Sequence, residues 1–168
     1  MVQDLPVSMN TQLSSPSSSS STPRWIYDVF LSFRDTRHSF PSHLYNALMQ
    51  KGIVTFMDHE RIRREKSIIP ELLEAIEKSR FAIVILSKKY ASSKLCLDEL
   101  AKIVECKEEM SLTVLPVFYH VDPSDVRNQR GTFEQAFAKH QAANVKEMEP
   151  WKAALAKVAN LPGCIVDR

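Results

Sequence analysis

Glycine is scarce in this chain: Gly52, Gly131 and Gly163 are the three among 168 residues, and no two are close. A G-x-G-x-x-G fingerprint or a G-x-x-x-x-G-K-[ST] loop needs clustered glycines so that backbone can wrap a phosphate, and both are therefore excluded. Cysteine is as sparse. Cys96, Cys106 and Cys164 are odd in number and lack C-x-x-C spacing, which leaves no zinc or disulfide framework to expect. If Cys96 and Cys106 share a helix they stand roughly 15 Å apart, beyond disulfide reach. No apolar run approaches 18 residues, so no membrane-spanning helix is expected. An excess of one charge is also missing. The 22 Lys and Arg against 20 Asp and Glu give +2, too little to make nucleic acid or an anionic membrane the main partner. Reduced thiols without a secretory leader point to the cytoplasm, with the nucleus open as well.

What is present is the balance of one soluble globular domain: 44% apolar and 25% charged residues. Residues 14–21 carry seven serines in eight positions, with nothing apolar to offset the entropy of ordering them, so residues 1–23 read as a disordered Ser-rich tail. A transit peptide would be Ser-rich too, but also Arg-rich, and Arg24 stands alone here. From residue 24 onward the chain reads as the folded domain. Tyr27 to Phe33 is aromatic and β-branched, a strand. Phe40, Leu44, Ala47 and Leu48 then recur on one helical face, with Ser39 as cap and Gly52 past the end. Ile53 to Met57 is a second strand. Ser67 caps a helix with Ile69, Leu72, Leu73 and Ile76 inward.

Phe81 to Leu86 is apolar on both faces, as a strand covered on two sides should be. A helix from about Ser93 to Lys107 turns Leu97, Leu100, Ala101 and Val104 inward. Leu112 to Tyr119 is a strand at or near a sheet edge, because Pro116 cannot donate to a ladder. Helices near Phe133 to Ala143 and Trp151 to Ala159, and a short strand Cys164 to Val166, complete the order. Strand and helix alternate throughout, which predicts a flavodoxin-like parallel α/β sheet with helices on both faces. Ligands of such sheets sit at the carboxyl ends of the strands. Those ends are Ser32 to Arg37, Asp58 to Lys66, Ser87 to Leu95 and His120 to Arg130.

Two readings stand at each of these places. Phe33-Arg34-Asp35-Thr36-Arg37 offers a fork of donors for a phosphate, or an ordinary charged turn. Asp58 to Lys66, with eight ionisable groups in nine residues, is an arm for a partner or anion, or a solvated loop. Glu99 lies off the apolar stripe and is expected to face outward near its helix start, where the helix dipole alone favours a carboxylate. His43, Asn46 and Gln50 share the outer face of the first helix, a partner surface or a wet face. The remaining histidines have no metal spacing, and no Ser-His-Asp or Cys-His set can be ordered.

The strings YDVFLSFR-DTR, SHLYNAL, GIVTF-D, SI-PELLEAIE-SRFAIVILS, YASS--CLDEL and VLPVFYHVDPSDVR-Q-G-F together resemble the Toll/interleukin-1 receptor (TIR) domain of plant disease-resistance receptors. The resemblance implies a five-stranded parallel sheet. It also implies a domain that self-associates on pathogen recognition and cleaves NAD⁺ at the nicotinamide–ribose bond, giving nicotinamide and ADP-ribose-type or cyclised products. Glu99 falls on the catalytic glutamate of the family's C-L-x-E-L string. Arg34, with Phe33, Asp35 and Leu95, falls beside the nucleotide, and Ser42 and His43 fall on a helix-to-helix association face. Asp58 to Lys66 matches the loop that packs on a neighbouring protomer. NAD⁺ is then substrate, no cofactor or metal is implied, and the partners are other TIR domains.

The chain departs from the family pattern at four places. Two residues, a Gly among them, are missing between Arg34 and Asp35; Glu65 replaces a Gly; Leu95 replaces a Trp. The sequence stops after Arg168, where the family continues into a further helix, so part of one sheet face is expected to stay uncovered. These departures keep a second expectation alive, a non-catalytic TIR adaptor or decoy acting through TIR–TIR association.

Overall fold

The computed structural model describes residues 24–34, 40–58 and 68–167. The Ser-rich segment, Asp35 to Ser39 and most of the Asp58 to Lys66 loop lie outside the described residues, and with them the expectations for Asp35, Ser39, Glu65 and Ser67. The elements run β1 (Tyr27–Phe33), α1 (Phe40–Gln50), β2 (Thr55–Phe56), α2 (Pro70–Glu77) and β3 (Ser79–Leu86). After a single 3₁₀ turn (Tyr90–Ser92) come α3 (Lys94–Met110), β4 (Thr113–Tyr119), α4 (Pro123–Arg127), α5 (Thr132–His140), α6 (Val145–Ala159) and β5 (Cys164–Val166). All strand pairs are parallel, in the order β2-β1-β3-β4-β5. The chain leaves β1 for β2 on one side and returns to β3 on the other. That reversal puts the switch point at the carboxyl ends of β1 and β3.

The expected α/β architecture is present, and alternation along the strands explains its two cores. Phe30, Ala82, Val84, Leu86, Val114 and Phe118 face the layer of α2, α3, α5 and α6. Val29, Leu31, Phe33, Ile83, Ile85 and Val117 face Phe40, Leu44, Tyr45 and Leu48 of α1. Ala47, expected inward, is exposed. The α1 side is the thinner one. Phe81 and Leu115, in phase with Ile83 and Val117, are 36% and 37% exposed, so this face is incompletely covered among the described residues. The Arg80 guanidinium lies over the Phe81 ring at 5.3 Å and over Trp25 at 5.8 Å, screening part of that surface.

Two glycines are required by their positions. Gly52 takes φ +78 two residues past the end of α1, the left-handed turn that lets Ile53 N–H bond back to Leu48 C=O at 3.0 Å. At Gly163 an added Cβ would run into the Pro116 carbonyl oxygen, so only glycine lets β5 come alongside β4. Pro116 itself pairs with Val84 of β3, one residue before β5 pairing starts at Val117, and β4 is second from the edge as its proline demands.

Element boundaries moved where local signals compete with packing. α2 begins at Pro70, after Ile69, rather than directly after Ser67. α6 begins at Val145 and carries Pro150 inside it, six residues ahead of the expected start at Trp151. The proline removes one helical hydrogen bond, but burial of Met148 and Trp151 on the core holds that turn in place. α4 was not anticipated. Asp122 accepts from Ser124 N–H at 2.8 Å and Pro123 opens the helix, an N-cap and first-turn proline that the D-P-S-D string does spell. The Ser124 hydroxyl, then its backbone N–H, hold the Asp122 carboxyl below its usual range.

Candidate functional site at the β1/β3 switch point

α3 starts at the carboxyl end of the sheet because Ser93 caps it, its side chain accepting from Cys96 N–H at 3.2 Å. Glu99 follows in the second turn and is fully buried, not outward-facing as its place off the Leu97/Leu100 stripe predicts. A single stripe assumes a helix with one partner. α3 instead packs on the sheet, on α2 and α6 to either side and on the 3₁₀ turn, so Leu95, Cys96, Glu99, Ile103 and Cys106 are buried as well.

The buried carboxylate is met by hydroxyls. The Ser32 hydroxyl, from the last turn-ward end of β1, donates to Glu99 Oε2 at 2.7 Å. Tyr90 Oη of the 3₁₀ turn lies 2.7 Å from Ser32 Oγ and 3.2 Å from the Cys96 carbonyl oxygen, to which it can donate. Cys96 Sγ donates to the Phe33 carbonyl at 3.3 Å, tying the start of α3 to the end of β1. Sequence reasoning passed over Ser32 and Tyr90. The available signal was a hydroxyl at Ser32 in phase with Phe30, on the strand side that faces α3.

Arg34 lies two residues beyond Ser32, just past the end of β1, and is half-buried. Phe33 points the other way, into the cluster with Val29 and Leu31 under α1, so its ring does not join Glu99. Leu95 is 1% exposed and presents no surface to a ligand in this conformation. Ser42 is half-buried and His43 exposed on α1, so the association residues and Glu99 lie on opposite faces of the sheet.

A polar clasp holds the first turns of α3 from behind. Lys94 pairs with Asp98 at 2.9 Å, and Trp151 Nε1–H of α6 donates to the other Asp98 oxygen at 3.1 Å. The His140 ring packs edge-on against Trp151 at 5.4 Å while its Nε2 bonds the Ala91 carbonyl at 2.9 Å. Farther along, Glu77 and then Glu105 beside Lys102 hold its ammonium above the usual value despite partial burial, linking α2 to α3. Burial pushes the Cys106 thiol up, so it stays protonated. Among the described residues no three His, Cys, Asp or Glu side chains are grouped to hold a metal ion. Nor is any described helix long and apolar enough to cross a membrane.

The profile of the family described as TIR domain matches residues 26–168. The chain belongs to the TIR-domain family. It is 51% identical over 156 residues to TMV resistance protein N of Nicotiana glutinosa and 52% identical over 153 residues to disease resistance protein RPV1 of Vitis rotundifolia. Those matches cover 90% and 89% of this chain but 14% and 11% of the relatives, so the TIR domain spans about an eighth of their length. The TIR domains of the activated Roq1 resistosome, which directly recognises the pathogen effector XopQ, superpose with a TM-score of 0.75 at 53% identity. That superposition covers 83% of this chain and 87% of the other. The five-stranded parallel α/β sheet is thus a TIR fold.

Proposed function

We propose that this TIR domain acts in plant immune signalling in the cytosol by hydrolysing NAD⁺ at the nicotinamide–ribose bond, with Glu99 as the catalytic carboxylate. The observation that carries the reading is a fully buried glutamate at the sheet's switch point, fixed by the Ser32 hydroxyl. Its place in the C-L-x-E-L string agrees with the glutamate of the family it belongs to.

The chemistry suits one anion. Nicotinamide departs from a pyridinium as a neutral molecule and needs no general acid, unlike a sugar leaving as an alkoxide. As the C–N bond breaks, its electron pair stays on nicotinamide and positive charge grows on the ribose. A carboxylate held nearby stabilises that oxocarbenium character. Water then adds to the ribose carbon and releases its proton to solvent, giving ADP-ribose; attack by a group of the same molecule gives a cyclised product. Arg34, at the carboxyl end of β1 two residues beyond Ser32, is the cation suited to the diphosphate.

Glu99 has no exposure in the single chain, which favours activity that depends on assembly with other TIR copies. The exposed His43 with Ser42 beside it on α1 is the association surface we assign. Nicotinamide release per mole of protein is accordingly expected to rise steeply with protein concentration. His43→Ala should lower it about tenfold at dilute protein, with the loss shrinking as concentration increases. A rate per mole independent of concentration, or a loss that persists at saturation, overturns the assembly requirement. The second reading, a non-catalytic adaptor, is favoured by Leu95, which is buried where the family carries a tryptophan. Association without nicotinamide release is its expected result.

A further inference from the structure

We propose that Ser32 and Tyr90 are positioning residues for Glu99, forming a hydroxyl chain whose direction reverses with the charge on that carboxyl. The inference rests on the catalytic reading of Glu99 for its kinetic consequence but not for its structural one.

Serine and tyrosine hydroxyls each donate one hydrogen bond and can accept another, while an ionised carboxylate only accepts. With Glu99 charged, Ser32 donates to Oε2 at 2.7 Å and Tyr90 donates to Ser32 Oγ at 2.7 Å. With Glu99 protonated, its O–H donates to Ser32 Oγ, Ser32 donates to Tyr90 Oη, and Tyr90 donates to the Cys96 carbonyl at 3.2 Å. Each hydroxyl proton has an acceptor in both states, and the exchange needs rotation of two O–H bonds with no heavy atom moving. A packed interior has few other ways to accommodate a change of charge, since dipoles there cannot reorient as water does. The chain ends at a backbone carbonyl, so it reorients protons without conducting them to solvent. Glu99 thereby stays in place as positive charge develops and decays opposite it, which is the preorganisation that charge stabilisation requires.

Charged and polar groups of the surrounding elements are accounted for as follows. Arg34 follows β1, two residues beyond Ser32, and is half-buried. On α3, Cys96 is committed to the Phe33 carbonyl, Asp98 to Trp151 and Lys94, and Lys102 to Glu77 and Glu105.

The test measures Ser32→Ala, Ser32→Thr and Tyr90→Phe in the full chain by two readouts: nicotinamide release from NAD⁺, and the pH titration of the Glu99 carboxyl carbon by ¹³C NMR, assigned with Glu99→Gln. Ser32→Ala removes the donor to the charged form, so its titration midpoint should rise by about one unit, a tenfold change in proton affinity. Its kcat should fall about 10- to 100-fold with KM within about threefold. Tyr90→Phe should shift both in the same direction by about a third as much, because Ser32 still donates. Ser32→Thr, which keeps the hydroxyl, should return both toward the natural values. If the natural chain releases no nicotinamide at any concentration, the hydrolase reading fails and the carboxyl titration alone decides the relay. A midpoint unmoved in Ser32→Ala overturns it; if that variant does not fold, an unmoved midpoint in Tyr90→Phe does the same.

Discussion

Glu99→Gln is expected to melt higher than the natural chain while losing nicotinamide release on the order of a thousandfold or more. The first half follows from burial. Glu99 sits at zero exposure in the second turn of α3, past the first turn to which the helix dipole's help is confined. The Ser32 hydrogen bond at 2.7 Å offsets part of the cost of taking a carboxylate out of water. The isosteric amide keeps an oxygen for Ser32 and has no charge to desolvate. The gain should be about 1–2 kcal/mol, which for a domain of this size is about 2–6 °C in Tm. The second half follows because an amide cannot offset positive charge on the ribose. A scan by calorimetry beside an NAD⁺ assay reads both. If Glu99→Gln melts lower, the carboxylate is a structural partner of the fold rather than a group held at a cost for chemistry.

Trp151→Ala should be the most damaging single truncation for stability. Trp151 is 1% exposed, packs with His140, has Lys94 Nζ 5.6 Å above its ring and donates from Nε1 to Asp98. Losing the indole removes α6's grip on the first turns of α3 as well as a large apolar area. The cost should be about 3–5 kcal/mol, roughly 10 °C or more in Tm. Trp151→Phe retains much of the packing but leaves Asp98 without that donor, and should cost about 1–3 kcal/mol. Urea unfolding orders the two. Equal stability of all three chains would mean that α6 does not clamp α3. Because Asp98 adjoins Glu99, the same variants should weaken catalysis beyond what the unfolded fraction explains.

The sheet was legible because its signals are local. β1, β3 and β4 are short apolar runs between turns, and their order with intervening helices leaves little choice of winding. Pro116 placed β4 near an edge, and Gly52 marked the end of α1. Glu99 was singled out through its string, but its surroundings were not legible. A helical wheel assigns an inside from one stripe, whereas α3 is enclosed by the sheet, α2, α6 and the 3₁₀ turn, partners supplied from far along the chain. Ser32 and Tyr90 are 58 residues apart and meet only in the folded molecule, so no spacing rule joins them. Phe33 and Leu95 were placed beside the nucleotide through the family's strings. Strand alternation turns the first to the opposite face, and helix packing buries the second. The helix expected over Trp151 to Ala159 starts at Val145 instead, because burial of Met148 and Trp151 holds the helix through Pro150 against the local preference of a proline.

An NAD⁺ hydrolase whose carboxylate is Glu99 must release nicotinamide from NAD⁺ as the purified chain at high protein concentration and must lose that release in Glu99→Ala. Measured side by side, release is expected to grow with concentration and to disappear in the variant. Equal release from both chains, or none from either while the folded protein self-associates, contradicts it.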